Sequence, residues 1–268
     1  MAKKPIITLL TDFGVKDHFV GVIKGVILNI NPDAEIVDIS HDVSPQDIQQ
    51  AAFLLKNTYP YFPPNTIHLV VVDPSVGTNR RALIASSEKG VFIAPDNGVL
   101  SYLCADKALG EVREITADHY WLKPRTGTFD GRDIFAPVAA WTSKGVSLAS
   151  FGEPITDYKT FEIAQPAQVQ QGVWKCRILS VDRFGNLISN LTKEQFTALL
   201  GAGEQQRFAF RLGEQNILKL AQTFADGAPG EVMALFGSSG YVEFCVNQGN
   251  AATATALQAG KDILLKVI

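Results

Sequence analysis

The 268-residue sequence predicts an α/β protein of two domains, the first built on a mostly parallel sheet and the second smaller and rich in strands. Over about the first 80 residues, buried strand-like runs alternate with helical segments, a pattern typical of parallel sheets with helical crossovers. Beyond about residue 173, short strand-like runs follow one another between Gly- and Asn-rich loops, as in a small barrel or sandwich. We therefore expect an N-terminal α/β domain at 1–158, a linker at 159–172 and a C-terminal β domain at 173–268.

In the first domain, apolar runs too short for helices predict buried strands at 6–10, 35–40 and 69–72. Helical spacing of apolar residues predicts a helix at 21–30, which Asn31-Pro32 ends. Ser44 as N-cap with Pro45 at the first position predicts a second helix from there to about residue 58. Further along we expect a hairpin at 82–86 and 91–95, a short helix at 99–103, a strand at 111–115 and an apolar helix at 134–145.

Regular patterning fades between residues 157 and 172, which suggests the crossing between domains. The second domain then shows mostly alternating or wholly apolar runs of strand length. We expect strands at 174–181, 206–211, 232–236, 242–246 and 262–267, with one helix at 193–200 among them.

Composition narrows the function classes. A formal net charge of −3 gives no electrostatic reason to bind nucleic acid or acidic lipid. The three scattered cysteines indicate neither a disulfide framework nor a zinc site. The first apolar run, at 6–10, is too short for a signal peptide or a membrane span, so we expect a cytoplasmic protein without membrane contact.

Two aspartates follow buried strands in the predicted parallel sheet. Asp12 comes directly after the first strand and Asp73 after the third, and ligands of open α/β sheets bind beyond such strand ends. Arg80 and Arg81 come within reach of Asp73 if the 75–79 loop folds back. The alternative is a strand-end carboxylate that caps a turn, beside two solvated arginines.

Seven short motifs occur in one order along the chain: TDFG at 11–14, DPSVGTNRR at 73–81, APDNG at 94–98, TFDGRD at 128–133, DRFGN at 182–186, SSGY at 238–241 and NQGNA at 247–251. Together they resemble the S-adenosyl-L-methionine hydrolases, or hydroxide adenosyltransferases, a family related to the fluorinating and chlorinating adenosyl enzymes. The resemblance covers nearly the whole chain, and seven ordered motifs are far more specific than any one of them.

The resemblance implies an N-terminal α/β domain, a C-terminal β-barrel and a homotrimer whose active sites lie between the first domain of one subunit and the second of its neighbour. It implies attack of water or hydroxide on C5′ of S-adenosylmethionine, which gives adenosine and methionine without a metal or cofactor. Because the leaving group is a neutral thioether, the reaction needs one positioned, activated water and no general acid.

By motif position, Asp73 and Arg80 match two members of the family's Asp-Arg-His set, whereas the histidine position is occupied by Asp130. Arg80 between two carboxylates could still hold a water, with either carboxylate as base. Two neighbouring carboxylates disfavour each other's charged form, and a second negative charge opposes hydroxide formation. We expect altered but persisting activity, with loss of hydrolysis as the alternative.

The resemblance also implies a set of substrate contacts. Asp12, next to Phe13, would bind the ribose hydroxyls, although it could instead cap a turn. Asp182 would hold the methionine amino group. The remaining predicted contacts are Ser238 and Ser239 for the methionine carboxylate, Phe184 and Phe224 for stacking on adenine, and Asn186 with the Asn250–Ala251 backbone for the adenine edge. Either phenylalanine could equally belong to a core, and loop asparagines often serve turn chemistry alone.

Three classes of function remain: an S-adenosylmethionine hydrolase, a catalytically silent adenosyl-binding protein, and an unrelated metal-dependent hydrolase with Asp12 and Asp73 as ligands. Turnover to adenosine separates the first two, and a chelator separates the third. Halogenation is disfavoured, because fluorinating enzymes carry an extra loop where 86–91 forms a tight turn and an aromatic residue in place of Asp73. A carboxylate there would repel a halide.

Overall fold

The computed structural model describes residues 4–201 and 207–268 and divides into two compact units, Met1–Ile163 and Ala164–Ile268. The strands are β1 (Ile6–Thr11), β2 (Glu35–Ser40), β3 (Thr66–Val71), β4 (Ala82–Ser87), β5 (Gly90–Pro95), β6 (Leu109–Glu114), β7 (Ala167–Gln170), β8 (Val173–Val181), β9 (Leu187–Thr192), β10 (Phe208–Leu212), β11 (Gln215–Ile217), β12 (Val232–Phe236), β13 (Tyr241–Val246) and β14 (Asp262–Val267). The α-helices are α1 (Phe19–Ile30), α2 (Ile48–Thr58), α3 (Ser101–Ala105), α4 (Ala136–Ser143), α5 (Lys193–Leu200) and α6 (Ala251–Thr255).

The first unit is built on a six-stranded sheet in the order β2-β1-β3-β5-β4-β6. The pairs β1–β2, β1–β3 and β3–β5 are parallel, whereas β4 runs antiparallel to both of its neighbours. The expected hairpin is β4–β5. The predicted α/β fold with a mostly parallel sheet is therefore confirmed.

One face of this sheet packs on α1 and α4. Their buried residues Ile23, Ile27 and Val138 form one apolar cluster with Leu9 of β1 and Leu69 of β3. Because side chains alternate along a strand, the neighbouring residues belong to the opposite face. Helices therefore hold the central strands in place, and with them the loops at their ends.

His68 lies within this sheet and is fully buried. Its Nδ1 is 2.9 Å from Thr8 Oγ1, and its ring stacks on Phe92 at 5.0 Å between centroids. Burial lowers the pKa of His68 to about 4, so at neutral pH it is a neutral core residue.

The register of the parallel strands brings two site loops together. Thr11, the last residue of β1, lies opposite Val71, the last residue of β3. Asp12 and Asp73 thus leave the same edge of the sheet from adjacent strands. Asn97 reinforces this edge because its Nδ2 donates to the Val72 carbonyl at 2.8 Å.

The predicted start of the second helix at Ser44 is wrong. α2 begins at Ile48, and its N-cap is Asp47, whose side chain accepts from the Gln50 N–H at 2.8 Å. Gln46 has a φ of 67°, a left-handed conformation that cannot form part of a right-handed helix. The segment before α2 is therefore a loop, and it contributes to the site described below.

The C-terminal unit is a strongly curved antiparallel sheet in the order β11-β10-β14-β8-β9-β13-β12, with β7 paired to β8. It forms a nearly closed barrel around buried phenylalanines that include Phe210 and Phe244, which confirms the predicted β-barrel. β12, β14 and α5 have the predicted bounds, and α5 starts with a Thr192–Gln195 capping box. Gln206, the first residue of the strand expected at 206–211, lies outside the described residues.

Within the described part of the chain, none of the helices combines the length and apolar character needed to cross a membrane.

Candidate active site

A cavity of about 380 Å³ opens in the first unit where β1 and β3 end. Residues from four loops and the start of α1 line it: Asp12, Phe13, Phe19, Pro45, Gln46, Val71, Asp73, Pro74, Val76, Thr128, Phe129, Asp130 and Gly131. Sequence reasoning placed four of these, Asp12, Phe13, Asp73 and Asp130, in the site. The cavity has the mixed apolar and polar walls expected of a small-molecule site.

The three predicted catalytic side chains meet at one wall of this cavity. Arg80 Nη2 donates to Asp73 Oδ2 at 2.5 Å and to Asp130 Oδ2 at 2.8 Å. All three side chains are at most 5% exposed, so water screens these ion pairs poorly. Asp73 Oδ1 also accepts from the Ser75 hydroxyl at 3.1 Å. The alternative of solvated arginines does not hold for Arg80.

The guanidinium of Arg80 is itself held in place. It lies 5.3 Å from the ring centroid of Phe135, and its Nη1 donates to the Arg81 carbonyl at 3.3 Å. Its Nε–H is buried and has no acceptor among the described residues. Arg80 thus bridges two carboxylates, and its Nε–H makes no hydrogen bond within the described residues.

Asp130 has a second cationic partner. Arg125 Nε donates to Asp130 Oδ1 at 2.9 Å and Arg125 Nη2 to Oδ2 at 3.0 Å, a bidentate pair. Two guanidinium groups therefore surround a carboxylate that is 2% exposed. Such bidentate, charge-assisted bonds are among the strongest in proteins.

The backbone around Asp130 is fixed from both sides. Residues Gly131–Phe135 form a π-helical turn that leads into α4. A Cβ at Gly131 would lie within 3.3 Å of side-chain atoms of Phe129, Val71 and Ile23, so a larger residue would require these side chains to shift. The turn is therefore packed directly against the end of β3.

Asp133 anchors the preceding loop to this turn. Its Oδ2 accepts from the N–H and hydroxyl of Thr126 at 2.8 and 2.9 Å, and its Oδ1 accepts from Arg132 Nε at 2.6 Å. Burial alone would raise the pKa of Asp133, but the bonds from Arg132 and Thr126 outweigh it and lower the pKa.

Asp12 lies on the opposite loop, where its Oδ2 accepts from the Gln46 N–H at 2.8 Å. The left-handed backbone of Gln46 makes this bond possible. Beside it, the rings of Phe13, Phe19 and Phe129 pack mutually, with centroids 5.3 to 5.8 Å apart. A carboxylate next to an aromatic cluster suits a ligand that has both hydroxyl groups and a flat ring.

Arg81 belongs to a separate network away from the cavity lining. Its Nε donates to Asp96 Oδ2 at 2.9 Å, and its Nη1 donates to Asp157 Oδ1 at 2.7 Å. These bonds raise the pKa of Arg81 and tie the chain near residue 157 to the end of β5.

The remaining predicted contacts lie in the C-terminal unit. Asp182 closes its own loop: its Oδ1 accepts from the N–H groups of Phe184 and Asn186 at 2.9 and 2.8 Å. Its Oδ2 accepts from Asn186 Nδ2 at 2.7 Å. The predicted amine-binding carboxylate and one predicted adenine contact thus bond to each other.

Ser238 and Ser239 form the turn between β12 and β13, closed by the Gly237 N–H donating to the Tyr241 carbonyl at 2.9 Å. Glu243 on β13 is 7% exposed. Burial and the nearby Asp182 raise the pKa of Glu243, and a bond from Ser239 opposes the rise. These side chains form one acidic, hydroxyl-bearing cluster.

The two predicted stacking residues are exposed, Phe184 by 74% and Phe224 by 49%. Neither therefore belongs to the core of the C-terminal unit. Asn250 is the N-cap of α6, with its Oδ1 accepting from the Thr253 N–H at 2.8 Å, and Ala251 is buried directly after it. Asn250 therefore has the local capping role that was considered as an alternative to ligand binding.

Sequence reasoning missed Phe19, Gln46, Phe129 and Arg125 as site residues. Phe129 stood inside a recognised motif, and its place next to Asp130 was the available signal. The other three lie outside the motifs, and only the fold brings Phe19 and Gln46 to the cavity and Arg125 to Asp130.

Comparison with known proteins agrees with the motifs. The profile of the SAM hydroxide adenosyltransferase N-terminal domain matches residues 7–152, and that of the C-terminal domain matches residues 176–264. The chain belongs to the SAM hydroxide adenosyltransferase family. The resemblance inferred from the seven motifs is confirmed.

Individual members show how close the likeness is. The (R)-S-adenosyl-L-methionine hydrolase of Salinispora tropica is 36% identical over 97% of both chains. An uncharacterised conserved protein from Thermotoga maritima, solved by crystallography, matches with a TM-score of 0.89 and 36% identity over 97% of this chain and 99% of its own. A fluorinase from Nocardia brasiliensis is more distant, at 27% identity over 99% and 98% of the two chains.

Across residues 4–201 and 207–268, no three His, Cys, Asp or Glu side chains are grouped so that they could hold a metal ion. Asp12 and Asp73, the ligands that the metal-hydrolase alternative would use, accept hydrogen bonds from Gln46 and Arg80.

Proposed function

We propose that this chain hydrolyses S-adenosyl-L-methionine to adenosine and L-methionine by attack of water on C5′. The observation that carries the proposal is the bridging of Asp73 and Asp130 by one nitrogen of Arg80 at a cavity that also contains Asp12. Relatives of similar length that bear the name (R)-S-adenosyl-L-methionine hydrolase support the same substrate.

In the proposed reaction, the water oxygen forms a bond to C5′ while the C5′–S bond breaks and its electron pair moves to sulfur. Asp73 orients the water and accepts its proton, because this carboxylate has one cationic partner whereas Asp130 has two. Arg80 holds Asp73 in position and stabilises the charge that develops there. Methionine leaves as a neutral thioether, so its sulfur needs no proton.

The positive charge of the substrate sulfonium favours its binding at this site. A sulfonium next to two carboxylates is attracted before reaction, and a cavity shielded from water favours a step in which opposite charges are neutralised. Asp12 is proposed to accept hydrogen bonds from the ribose hydroxyls, and Phe13 with its neighbouring rings to pack against the nucleoside. No cofactor or metal enters this scheme.

The other proposed contacts come from the C-terminal unit: Asp182 for the methionine amino group, Ser238 and Ser239 for its carboxylate, Phe184 and Phe224 for adenine, and Asn186, Asn250 and Ala251 for the adenine edge. The exposure of Phe184 and Phe224 supports a role in contacting a ligand or another subunit. We propose a cytoplasmic homotrimer whose sites combine the first unit of one subunit with the second unit of its neighbour.

A specific observation favours one alternative, an adenosyl-binding protein without turnover. Both oxygens of Asp130 are already bonded to guanidinium groups, which leaves this residue little capacity to take up a proton from water. If hydrolysis in this family depends on a base at position 130, the chain binds substrate and does not cleave it.

The deciding experiment incubates the purified protein and its Asp130→His variant with each sulfonium epimer of S-adenosylmethionine in ¹⁸O-water. Adenosine that carries ¹⁸O, with methionine, is expected from both proteins and establishes attack at C5′. Adenosine only from Asp130→His, with ligand binding by both, would establish the binding-only alternative. If neither protein binds or cleaves, the proposal fails.

Two additions test the remaining classes. Activity should survive EDTA, and loss of activity that added metal restores would indicate a metal-dependent hydrolase. Replacing chloride by fluoride or bromide should not divert product to a 5′-halogenated nucleoside, whereas such a product would reveal halogenation.

The shared site is tested by mixing two inactive variants, Arg80→Gln in the first unit and Asp182→Ala in the second, after unfolding and refolding them together. Random assembly leaves about a quarter of interfacial sites with both intact halves, so about a quarter of the activity should return. Sites confined to single chains would show no recovery.

A further inference from the structure

Arg125 is the feature that the proposed chemistry leaves unexplained. It lies outside every motif of the chain, yet it makes the only bidentate contact to Asp130 among the described residues. Its side chain is 38% exposed, and its guanidinium carbon lies 5.5 Å from the ring centroid of Trp121. The neighbouring Thr126 is bonded to Asp133, which holds the loop in place.

The charges around Asp130 show what Arg125 contributes. Asp73 and Arg80 face Asp130 from the segment after β3, and Arg125 faces it from the loop before the π-helical turn. Asp133, on the turn itself, is paired with Arg132. Without Arg125, two buried carboxylates would share one guanidinium, an arrangement that disfavours the charged form of one of them.

With Arg125, two carboxylates and two guanidinium groups alternate and their charges cancel. Asp130 can then remain charged without competing with Asp73 for Arg80. A histidine at position 130, as the family resemblance implies, would bring no negative charge and would need no such partner.

We propose that Arg125 is a positioning residue that makes aspartate a working replacement for histidine at position 130. It keeps Asp130 charged and fixed, so that Arg80 stays bridged and Asp73 is free to act on water. The inference rests on the proposed hydrolysis, and its test is designed so that the two can fail separately.

The test is a double-mutant cycle of Arg125→Gln and Asp130→His, with kcat and KM measured for adenosine formation from pH 5 to 9. Arg125→Gln alone should lower kcat at pH 7 about tenfold, the scale of one charge-assisted hydrogen bond, with little change in KM. The acidic limb of its pH profile should move about one pH unit toward neutrality. In the Asp130→His background, the same change should leave kcat within about twofold.

Two controls separate charge compensation from simple support of the loop. Arg125→Lys keeps the charge and should restore most of the lost kcat. Lys123→Gln removes a cation two residues away, whose partner Asp118 is exposed, and should leave kcat and the pH profile unchanged. Equal losses from Arg125→Gln in the unmodified protein and in the Asp130→His background would overturn the inference, because Arg125 would then act independently of the carboxylate.

Melting temperatures test the inference without substrate, and they can be measured even if none of these variants forms adenosine. Arg125→Gln leaves the buried Asp130 carboxylate with one cationic partner in place of two, so it should clearly lower the melting temperature at pH 7. In the Asp130→His background, which has no carboxylate at this position, the same change should lower the melting temperature much less. If the two losses are equal, the inference fails whether or not the proposed hydrolysis stands.

Discussion

Arg80 and Arg81 are adjacent in the chain, and each is held between two aspartates, yet the two networks differ in almost every other respect. Arg80 and its partners Asp73 and Asp130 are at most 5% exposed, and the two partners line the cavity. Arg81 is 24% exposed, and its partner Asp157 is 79% exposed.

The two networks contain the same residue types but differ in the burial of the arginine and of one carboxylate, which fits the catalytic role proposed for the first and a structural role for the second. A carboxylate that is poorly screened interacts strongly with any charge that enters its cavity, whereas an exposed pair is largely compensated by water. The Arg81 network instead ties a chain segment to the sheet, since Asp96 also accepts from the Lys159 N–H at 2.7 Å.

The largest expected contrast comes from the same substitution at the two arginines. Arg80→Gln should reduce kcat for adenosine formation about a thousandfold, because both carboxylates lose their bridge. Arg81→Gln should leave kcat within about threefold, since its network lies outside the cavity lining. If Arg80→Gln and Arg81→Gln both fold and lose similar amounts of kcat, the two networks do not differ in function.

A matched pair of strand-end carboxylates sharpens the contrast. Asp73→Asn should lower kcat about a hundredfold, the scale of a general base, with KM within about threefold. Asp96→Asn should leave both constants almost unchanged. An Asp73→Asn enzyme with full kcat would remove Asp73 from the mechanism.

Substitutions in the Arg81 network should affect the stability of the fold, although they should not affect kcat. Asp96 is 2% exposed and bonded to both Arg81 and Lys159, so Asp96→Ala should lower the free energy of unfolding by about 2 kcal/mol. Urea unfolding, compared with an exposed control such as Asp118→Ala, measures the loss. A loss no larger than that of the control would contradict the structural role.

The smallest effect should come from Asp157, and it should depend on pH. The bond from Arg81 lowers the pKa of Asp157, so its stabilising contribution is present above the unfolded value of about 3.9. That contribution disappears as the pH falls through the lowered folded value. Asp157→Asn should therefore melt slightly below the unmodified protein at pH 7, and the difference should close in strong acid. A difference independent of pH would point to packing.

The sequence predicted those parts of the molecule that short-range patterns determine. Hydrophobic runs located β12 and β14, and strand-end position pointed to Asp12 and Asp73. The start of α2 could not be predicted, because Gln46 adopts a left-handed conformation to bond with Asp12, a residue 34 positions away. A local helix-start signal does not contain such a contact.

The same limit applies to the site. The motifs predicted that Asp73, Arg80 and Asp130 belong to one site, and in the structure they form one hydrogen-bonded network. Arg125 was missed because nothing in its own neighbourhood distinguishes it from a solvated loop arginine. The contact between Arg125 and the buried Asp130 is visible only in the folded structure.

The close packing of Gly131 has an evolutionary consequence. Because residue 131 has no Cβ, the backbone beside position 130 packs closely against Val71 of β3 whatever side chain stands at position 130. Histidine and aspartate codons differ by a single base, and Arg125 lies on a loop outside the π-helical turn. A lineage can thus exchange one residue and acquire its partner in separate mutations, without rebuilding the pocket.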